Sequence, residues 1–277
     1  MYRGDYVKKI KWQNVATLLL LISLIITLII SVLNIYHWIK DSNNIKEQIE
    51  NIQEIVNVEE SIDNENTEII NQEEIPEASP YWDYVNMNMI YVDFNELKQI
   101  NKDVIGWIQV NGTNINYPFV GTSDNNYYLT HSLDKSYNRG GWIFLDYRDK
   151  KNLNNKNTII YGHGRQDQTM FGSLKKIFKN GWLNDTNNFV IKLSTEKENT
   201  LWQVFSIYHI PVTSDYLKTE FNNDNDFLEF SNMLIKRSIY DFKTSVSKTD
   251  QILTLSTCYN DTERMAIHAK LIKKESR

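Results

Sequence analysis

The chain holds a single cysteine, Cys258, at the end of an apolar run from Gln251 to Thr257 that reads as a buried strand. A polar turn, YNDTE, follows it, and Arg264 opens a second strand-like run through Met265 to Ile272. If the two runs pair as a hairpin, the thiol and the guanidinium meet at one sheet edge. A cation there favours the nucleophilic thiolate and can donate hydrogen bonds to a developing oxyanion. Taken alone, a lone cysteine also fits a small buried hydrophobe, and Arg264 a surface charge.

A second segment, NTIIYGHGRQDQTMFGSL at Asn157 to Leu174, ends a strand directly in Gly162-His163-Gly164. Flanking glycines let the backbone turn sharply and leave the imidazole uncrowded. Imidazole can give or take a proton at physiological pH, which is what a cysteine nucleophile needs beside it. His37, His131, His209 and His268 have no such setting and read as exposed or structurally satisfied. Because His163 precedes Cys258, the order is the reverse of that in papain-like peptidases. The sequence contains no His-x-x-x-His or Cys-x-x-Cys pair to suggest a metal, and no glycine-rich phosphate loop.

These residues need a folded scaffold, and 277 residues with 41% hydrophobic content leave room for one moderate domain plus accessories. A net charge of -5 gives no support for nucleic-acid binding. From Val15 to about Tyr36 the chain carries no charge and is long enough to cross ~30 Å of hydrocarbon. Arg3, Lys8, Lys9 and Lys11 precede this segment, so the expected topology is a cytoplasmic N-terminus (1–14), a retained signal anchor (15–38) and an outside remainder. A cleaved signal peptide would have a shorter apolar region and a small-residue cleavage site. Outside the cell, one cysteine cannot form an intramolecular disulfide.

Residues 39–80 read as an acidic stalk or linker. Ile45, Ile49, Ile52 and Val56 fall at helical spacing, and a solvated Glu- and Asn-rich spacer follows them. At Tyr81 the composition turns aromatic, and 81–277 reads as the catalytic domain. Strands are expected near Val104–Val110, Asn114–Val120, Gly141–Asp146, Thr158–Tyr161, Phe189–Leu193, Leu201–Ile210, Gln251–Thr257 and Met265–Ile272. Helices are expected near Pro80–Met89, Asp93–Lys102, Met170–Phe178 and Asp224–Ser238, the last with Phe227, Phe230, Leu234 and Ile235 on its apolar face. This is a mostly β pattern, with about eight strands in a closed or nearly closed barrel and peripheral helices.

TLSTC followed by an arginine on the next strand, with YGH upstream, resembles the sortase family. DNNYYLTH at Asp124–His131, GGWIFLDYR at Gly140–Arg148 and the helix before the cysteine strand resemble its class B branch, and the likeness runs from about Tyr81 to the C-terminus. The resemblance implies an eight-stranded sortase barrel and a cysteine transpeptidase of the thiol-protease kind, with no metal or organic cofactor. Cys258 would attack the Thr carbonyl of a C-terminal sorting signal on an exported protein. His163 would serve the leaving and incoming amines, and Arg264 would stabilise the oxyanion. A peptidoglycan cross-bridge amine or its lipid-linked precursor would resolve the thioacyl enzyme. Asn125, Leu129, Tyr216, Leu217 and Ser256 match positions lining the signal groove.

Two departures from the class B pattern, a short Cys258–Arg264 loop and Tyr259 where one branch has an acidic residue, touch the rim of the site. An NPxTx-like signal is expected, with LPxTG- or SPxTG-like signals open. Pilin polymerisation and an idle membrane-anchored binding module are the alternative readings.

Overall fold

A computed structural model describes residues 12–71, 75–77 and 79–277. The basic flank at Arg3, Lys8, Lys9 and Lys11 lies outside the described residues. The chain divides into two units, one ending at Asn44 and one starting at Ile45. The first is the leading part of α1 (Trp12–Ile55), whose most apolar 18-residue window has mean hydropathy 2.9 and is 0% buried. Hydroxyls in this stretch bond back to their own helix: Thr17 to the Gln13 carbonyl (2.9 Å), Thr27 to Ser23 (2.8 Å) and Ser31 to Thr27 (2.9 Å). Such internal satisfaction is what a bilayer demands of polar groups. By length and composition the helix can cross a membrane.

In the second unit the chain runs β1 (Val58–Ser61), β2 (Thr67–Ile69), α2 (Tyr81–Val85), β3 (Met89–Val92), α3 (Asn95–Ile100), β4 (Val104–Val110) and β5 (Asn116–Val120). It continues through β6 (Phe144–Leu145), β7 (Asn157–Tyr161), α4 (Asn180–Leu183), β8 (Val190–Thr195), β9 (Glu198–Pro211), α5 (Asp224–Arg237), β10 (Ile252–Cys258) and β11 (Glu263–Ser276). Strands pair in the order β10-β7-β6-β5-β4-β8-β9-β11, and β11 returns to β10, closing an eight-stranded barrel. Closure leaves no long unpaired edge among these strands. Strands β9 and β11, of 14 residues each, are paired along their length with register shifts at His268/Ala269 and Leu271/Lys273. Bulges of this kind bend long strands around a barrel.

Trp107, Trp142, Leu193, Val204, Leu255 and Ile267 are among the buried side chains of the main core. A second apolar layer lies under α5. Phe227, Phe230 and Leu234 pack there with Phe205, Tyr208, Tyr216, Ile252 and Ala266, as the expected apolar face requires. The Asn223 side chain caps α5, with Asp224 and Asp226 in its first turn and Lys236 and Arg237 in its last, which suits the helix dipole.

Several expectations are corrected. The Gly141–Asp146 strand shrinks to Phe144–Leu145. Pro80–Met89 is helical only over Tyr81–Val85, after which Met89–Val92 is a strand. Gly172–Phe178 is a 3-10 helix.

The largest correction concerns the acidic segment, expected to be solvated. Ile45, Ile52 and Val56 enter the core, β1 pairs with β3, and β2 pairs with β11. Its polar groups meet partners from the far end of the chain. Asp63 takes the fully buried Lys273 Nζ at 2.7 and 3.0 Å, Glu68 pairs with Lys274 at 2.9 Å, and Ser61 and Asn64 both donate to Glu275. The third Lys273 proton goes to the Met87 carbonyl at 2.8 Å.

A chain starting at Tyr81 keeps the Met87 carbonyl but loses the other partners, leaving Lys273 without its carboxylate. Because Asp63 is half-exposed, losing this partner of the buried lysine costs about 1–3 kcal/mol, so the Tm should fall by roughly 5 °C below that of a chain starting at Ile45. Equal melting temperatures by calorimetry would show the segment to be dispensable.

Candidate active site

The site forms where three strand ends meet. β7 runs parallel to β10 with Tyr161 opposite Ser256, and the Gly162 N–H donates to the Ser256 carbonyl at 3.4 Å. Two residues beyond each of that pair stand His163 and Cys258. β11 pairs with β10 antiparallel, with Arg264 directly opposite Cys258. Directly opposed residues in a ladder share a face. The cysteine therefore has the histidine segment on one flank and the arginine on the other.

Glycine is required at the junction. A Cβ on Gly164 would lie 2.2 Å from the Cys258 carbonyl oxygen, so no side chain fits between the two turns. Gly141 has φ +60°, and a Cβ there would lie 3.0 Å from His163 Cδ2. The turn after His163 is locked by Arg165, which bonds Asp167 and Thr169. Burial raises the Asp167 carboxyl, but bonds from Arg165 and Thr169 outweigh it and hold the group well below the usual carboxylate range.

The reactive atoms are free of the protein. His163 Nε2 lies 2.8 Å from the Leu129 carbonyl. Because a carbonyl only accepts, Nε2 carries a hydrogen, and Nδ1 is the nitrogen left to exchange protons. The Cys258 thiol is exposed. Among the described residues, none accepts a hydrogen bond from the Arg264 guanidinium. A thiol, an imidazole nitrogen and a guanidinium fork, carried on neighbouring strand ends, are thus left without partners among the described residues. Such a set can attack a carbonyl, shuttle a proton and hold an oxyanion.

Of the groove residues, Ser256 lies two residues before Cys258 on the same face, and its Oγ is 2.9 Å from the hydroxyl of the buried Tyr216. Burial raises the Tyr216 phenol above its ordinary value, and Arg264 and Cys258 are among the charges that act on it. Leu129 contributes its carbonyl to His163. The Leu217 carbonyl accepts from Arg148 Nη2 at 3.1 Å. The Asn125 side-chain oxygen is engaged by the Tyr147 N–H at 3.0 Å. Among the other histidines, His268 is fully buried, His131 stacks on Tyr127, and His209 pairs with Glu263 at 3.0 Å and stacks on Tyr259. No group of three His, Cys, Asp or Glu side chains among the described residues is arranged to hold a metal ion.

Reading for pattern alone missed an acidic centre beside the groove. The buried Asp146 accepts from Tyr161 (2.8 Å) and from Arg148 Nε and Nη2 (2.9 and 2.6 Å). Burial raises its carboxyl, yet these bonds prevail and lower it. Its only sequence signal was a charged pair, Asp146 and Arg148, inside an apolar motif.

Nearby Asp149 differs. Burial pushes its carboxyl up to about 7, although the Ile159 N–H donates to one oxygen at 2.6 Å. It lines a cleft of about 600 Å³ that also takes in Lys156, Glu220, Asn223 and Gln251 but none of the groups around Cys258. The folded carboxyl keeps its proton where the unfolded one has lost it, so stability falls as pH rises from about 4 to about 7. Asp149→Asn retains an acceptor for Ile159 and removes this dependence. Chemical denaturation should find the variant more stable at pH 8, by on the order of 1–3 kcal/mol, and equal to wild type near pH 4. The same difference at both pH values would contradict the assignment.

Comparison with known proteins agrees with the architecture. The family model described as the sortase domain matches residues 108–272. Sortase B of Staphylococcus aureus is 37% identical over 185 residues, covering 65% of this chain and 75% of its own. A crystal structure of sortase B from Bacillus anthracis superposes with a TM-score of 0.66 at 32% identity, covering 86% of this chain and 99% of its own. Another, of a sortase B complexed with triglycine, gives 0.61 at 35% identity over 65% of this chain and 85% of its own. With the barrel, the family match and the relatives in accord, the chain belongs to the sortase family, in its class B branch.

Proposed function

We propose that this chain is a membrane-anchored cysteine transpeptidase that cleaves a C-terminal sorting signal after Thr and joins the exported protein to a peptidoglycan amine. Transpeptidation is the general activity of the family. The observation that carries the reading is the placement of Cys258 between the His163 segment and Arg264, with the reactive atoms of all three uncommitted. Sulfur attacks the Thr carbonyl carbon, and the C=O electron pair moves onto oxygen, where the Arg264 fork meets it. His163, protonated at Nδ1, gives that proton to the departing amine nitrogen as the C–N bond breaks, leaving a thioester. The now neutral Nδ1 takes a proton from the incoming amine, which displaces Cys258 as thiolate.

Ser256, Tyr216 and Leu217 form one wall for the signal, with Asn125 and Leu129 toward the other side. Helix α1 is the anchor. With basic residues before it, the N-terminus stays in the cytoplasm and the barrel faces outward.

The test uses the full chain in detergent micelles with fluorogenic peptides of NPxTx, LPxTG and SPxTG type, plus triglycine as the amine. The crystallised complex of a sortase B with triglycine makes that peptide a fair probe. Cleavage after Thr and a triglycine-joined product, read by mass, are expected. A reactive Cys258 with no turnover of any signal peptide would instead support an idle binding module.

A further inference from the structure

The segment between β9 and α5 carries Tyr216 and Leu217, and it is held from several sides. The Asp215 carboxylate receives both terminal nitrogens of Arg237, the last residue of α5, at 2.8 and 2.6 Å. The Lys218 carbonyl accepts from Asn157 Nδ2, at the start of β7, at 2.9 Å. Side chains in contact connect these two grips through the protein. The Arg237 guanidinium also packs against Tyr208, 5.9 Å from its ring centroid. Tyr208 Oη lies 2.9 Å from His268 Nε2, His268 Nδ1 lies 2.9 Å from Thr254 Oγ1, and Thr254 donates to Asn157 Oδ1 at 2.7 Å.

The direction of each bond follows from chemistry. Asn157 donates through Nδ2 to a carbonyl, so its oxygen must accept the Thr254 proton. Thr254 has then spent its only hydrogen and must accept from His268 Nδ1–H. Nε2 of that neutral ring accepts in turn from Tyr208 O–H. Every bond from the Tyr208 hydroxyl onward points the same way and ends on the Lys218 carbonyl, while Arg237 grips the other side of Tyr216 through Asp215. His268 is fully buried, and burial is the main cause that pushes its imidazole down to about 3, so the ring is neutral at any pH the cell meets. Asp215, which faces Arg237, and Arg237 itself are the charged groups at this end of the chain.

Tyr216 sits between these two grips, and its hydroxyl touches Ser256 two residues from Cys258. We propose that Arg237 and His268 are positioning residues that hold Tyr216 and Leu217 as a rigid wall for the residues of the sorting signal just upstream of its Thr. This rests on the transpeptidase reading and adds to it a determinant of peptide affinity remote from the thiol. Such a wall acts on peptide binding and leaves the chemistry at sulfur untouched.

The experiment measures kcat and KM for a sorting peptide, and separately the rate of Cys258 modification by methyl methanethiosulfonate, with the full chain in detergent. Arg237→Gln and Asp215→Asn should each raise KM about 10-fold, the scale expected for a lost charge-assisted bond, with kcat within about 3-fold. Their double variant should be no worse than either alone. Arg237→Lys, which keeps one bond to Asp215, should recover most of the loss. His268→Phe should behave like Arg237→Gln, and if it fails to fold the Arg237 and Asp215 series still decides. The modification rate should stay unchanged throughout. Unchanged KM, a fall in kcat alone, or a parallel loss of thiol reactivity would overturn the proposal. If wild type cleaves no sorting peptide, the transpeptidase reading fails and the wall is read by hydrogen exchange. Amides 213–218 should then exchange about 10-fold faster in Arg237→Gln, and unaltered protection would overturn it.

Discussion

Replacing Cys258 by alanine is expected to remove sorting-peptide turnover by about 10⁴-fold or more while leaving the fold intact. The side chain is exposed at the end of β10, so its loss opens no cavity and breaks no bond within the protein. Substitutions of that kind stay within about 0.5 kcal/mol of wild type in stability. All other groups remain in place, including His163 on its Leu129 carbonyl and Arg264 opposite the vacated position. Any activity left would have to come from oriented binding alone. Turnover close to wild type, with the same melting curve, would remove Cys258 from the nucleophile's role.

Arg264→Ala is expected to have the next largest effect, lowering kcat about 10²- to 10³-fold, the range observed when one oxyanion donor is lost. Arg264 stands opposite Cys258 across the hairpin, and no described residue takes a hydrogen bond from its guanidinium. An arginine that held the fold together would be committed to partners, as Arg148 is to Asp146 and Arg165 is to Asp167. Freed of such ties, its donors can serve a charge that exists only during reaction. Arg264→Lys should recover little, because an ammonium cannot reproduce the planar fork. Stopped-flow acylation and steady-state kcat should fall together, with Tm within a degree or two of wild type. A full kcat in Arg264→Ala would place oxyanion stabilisation elsewhere.

The hairpin joining Cys258 to Arg264 was legible because two apolar runs flank a short polar turn, and the turn length sets the register. Placing His163 beside them was not. Its strand pairs with β10 in parallel across nearly a hundred residues, and no local pattern encodes a parallel partner; the resemblance of YGH and TLSTC to a family supplied it. The acidic segment was misread for a related reason. Glu- and Asn-rich composition signals solvation only if no cations await, and Lys273 and Lys274 lie about two hundred residues away in sequence. Charge pairing at that separation overrides local composition. His268, which the sequence leaves as either exposed or structurally satisfied, is the buried and satisfied case. Its bonds to Tyr208 and Thr254 join three strands and cannot be seen along one chain.

Intact-mass analysis of the full chain mixed with a sorting peptide in the absence of any amine, quenched in acid, tests the central claim most directly. The account predicts an adduct equal to the peptide acyl group ending at Thr, located on Cys258 by fragmentation, discharged by triglycine and missing from Cys258→Ala. Product formed without such an adduct, or an acyl group found on another residue, would contradict it.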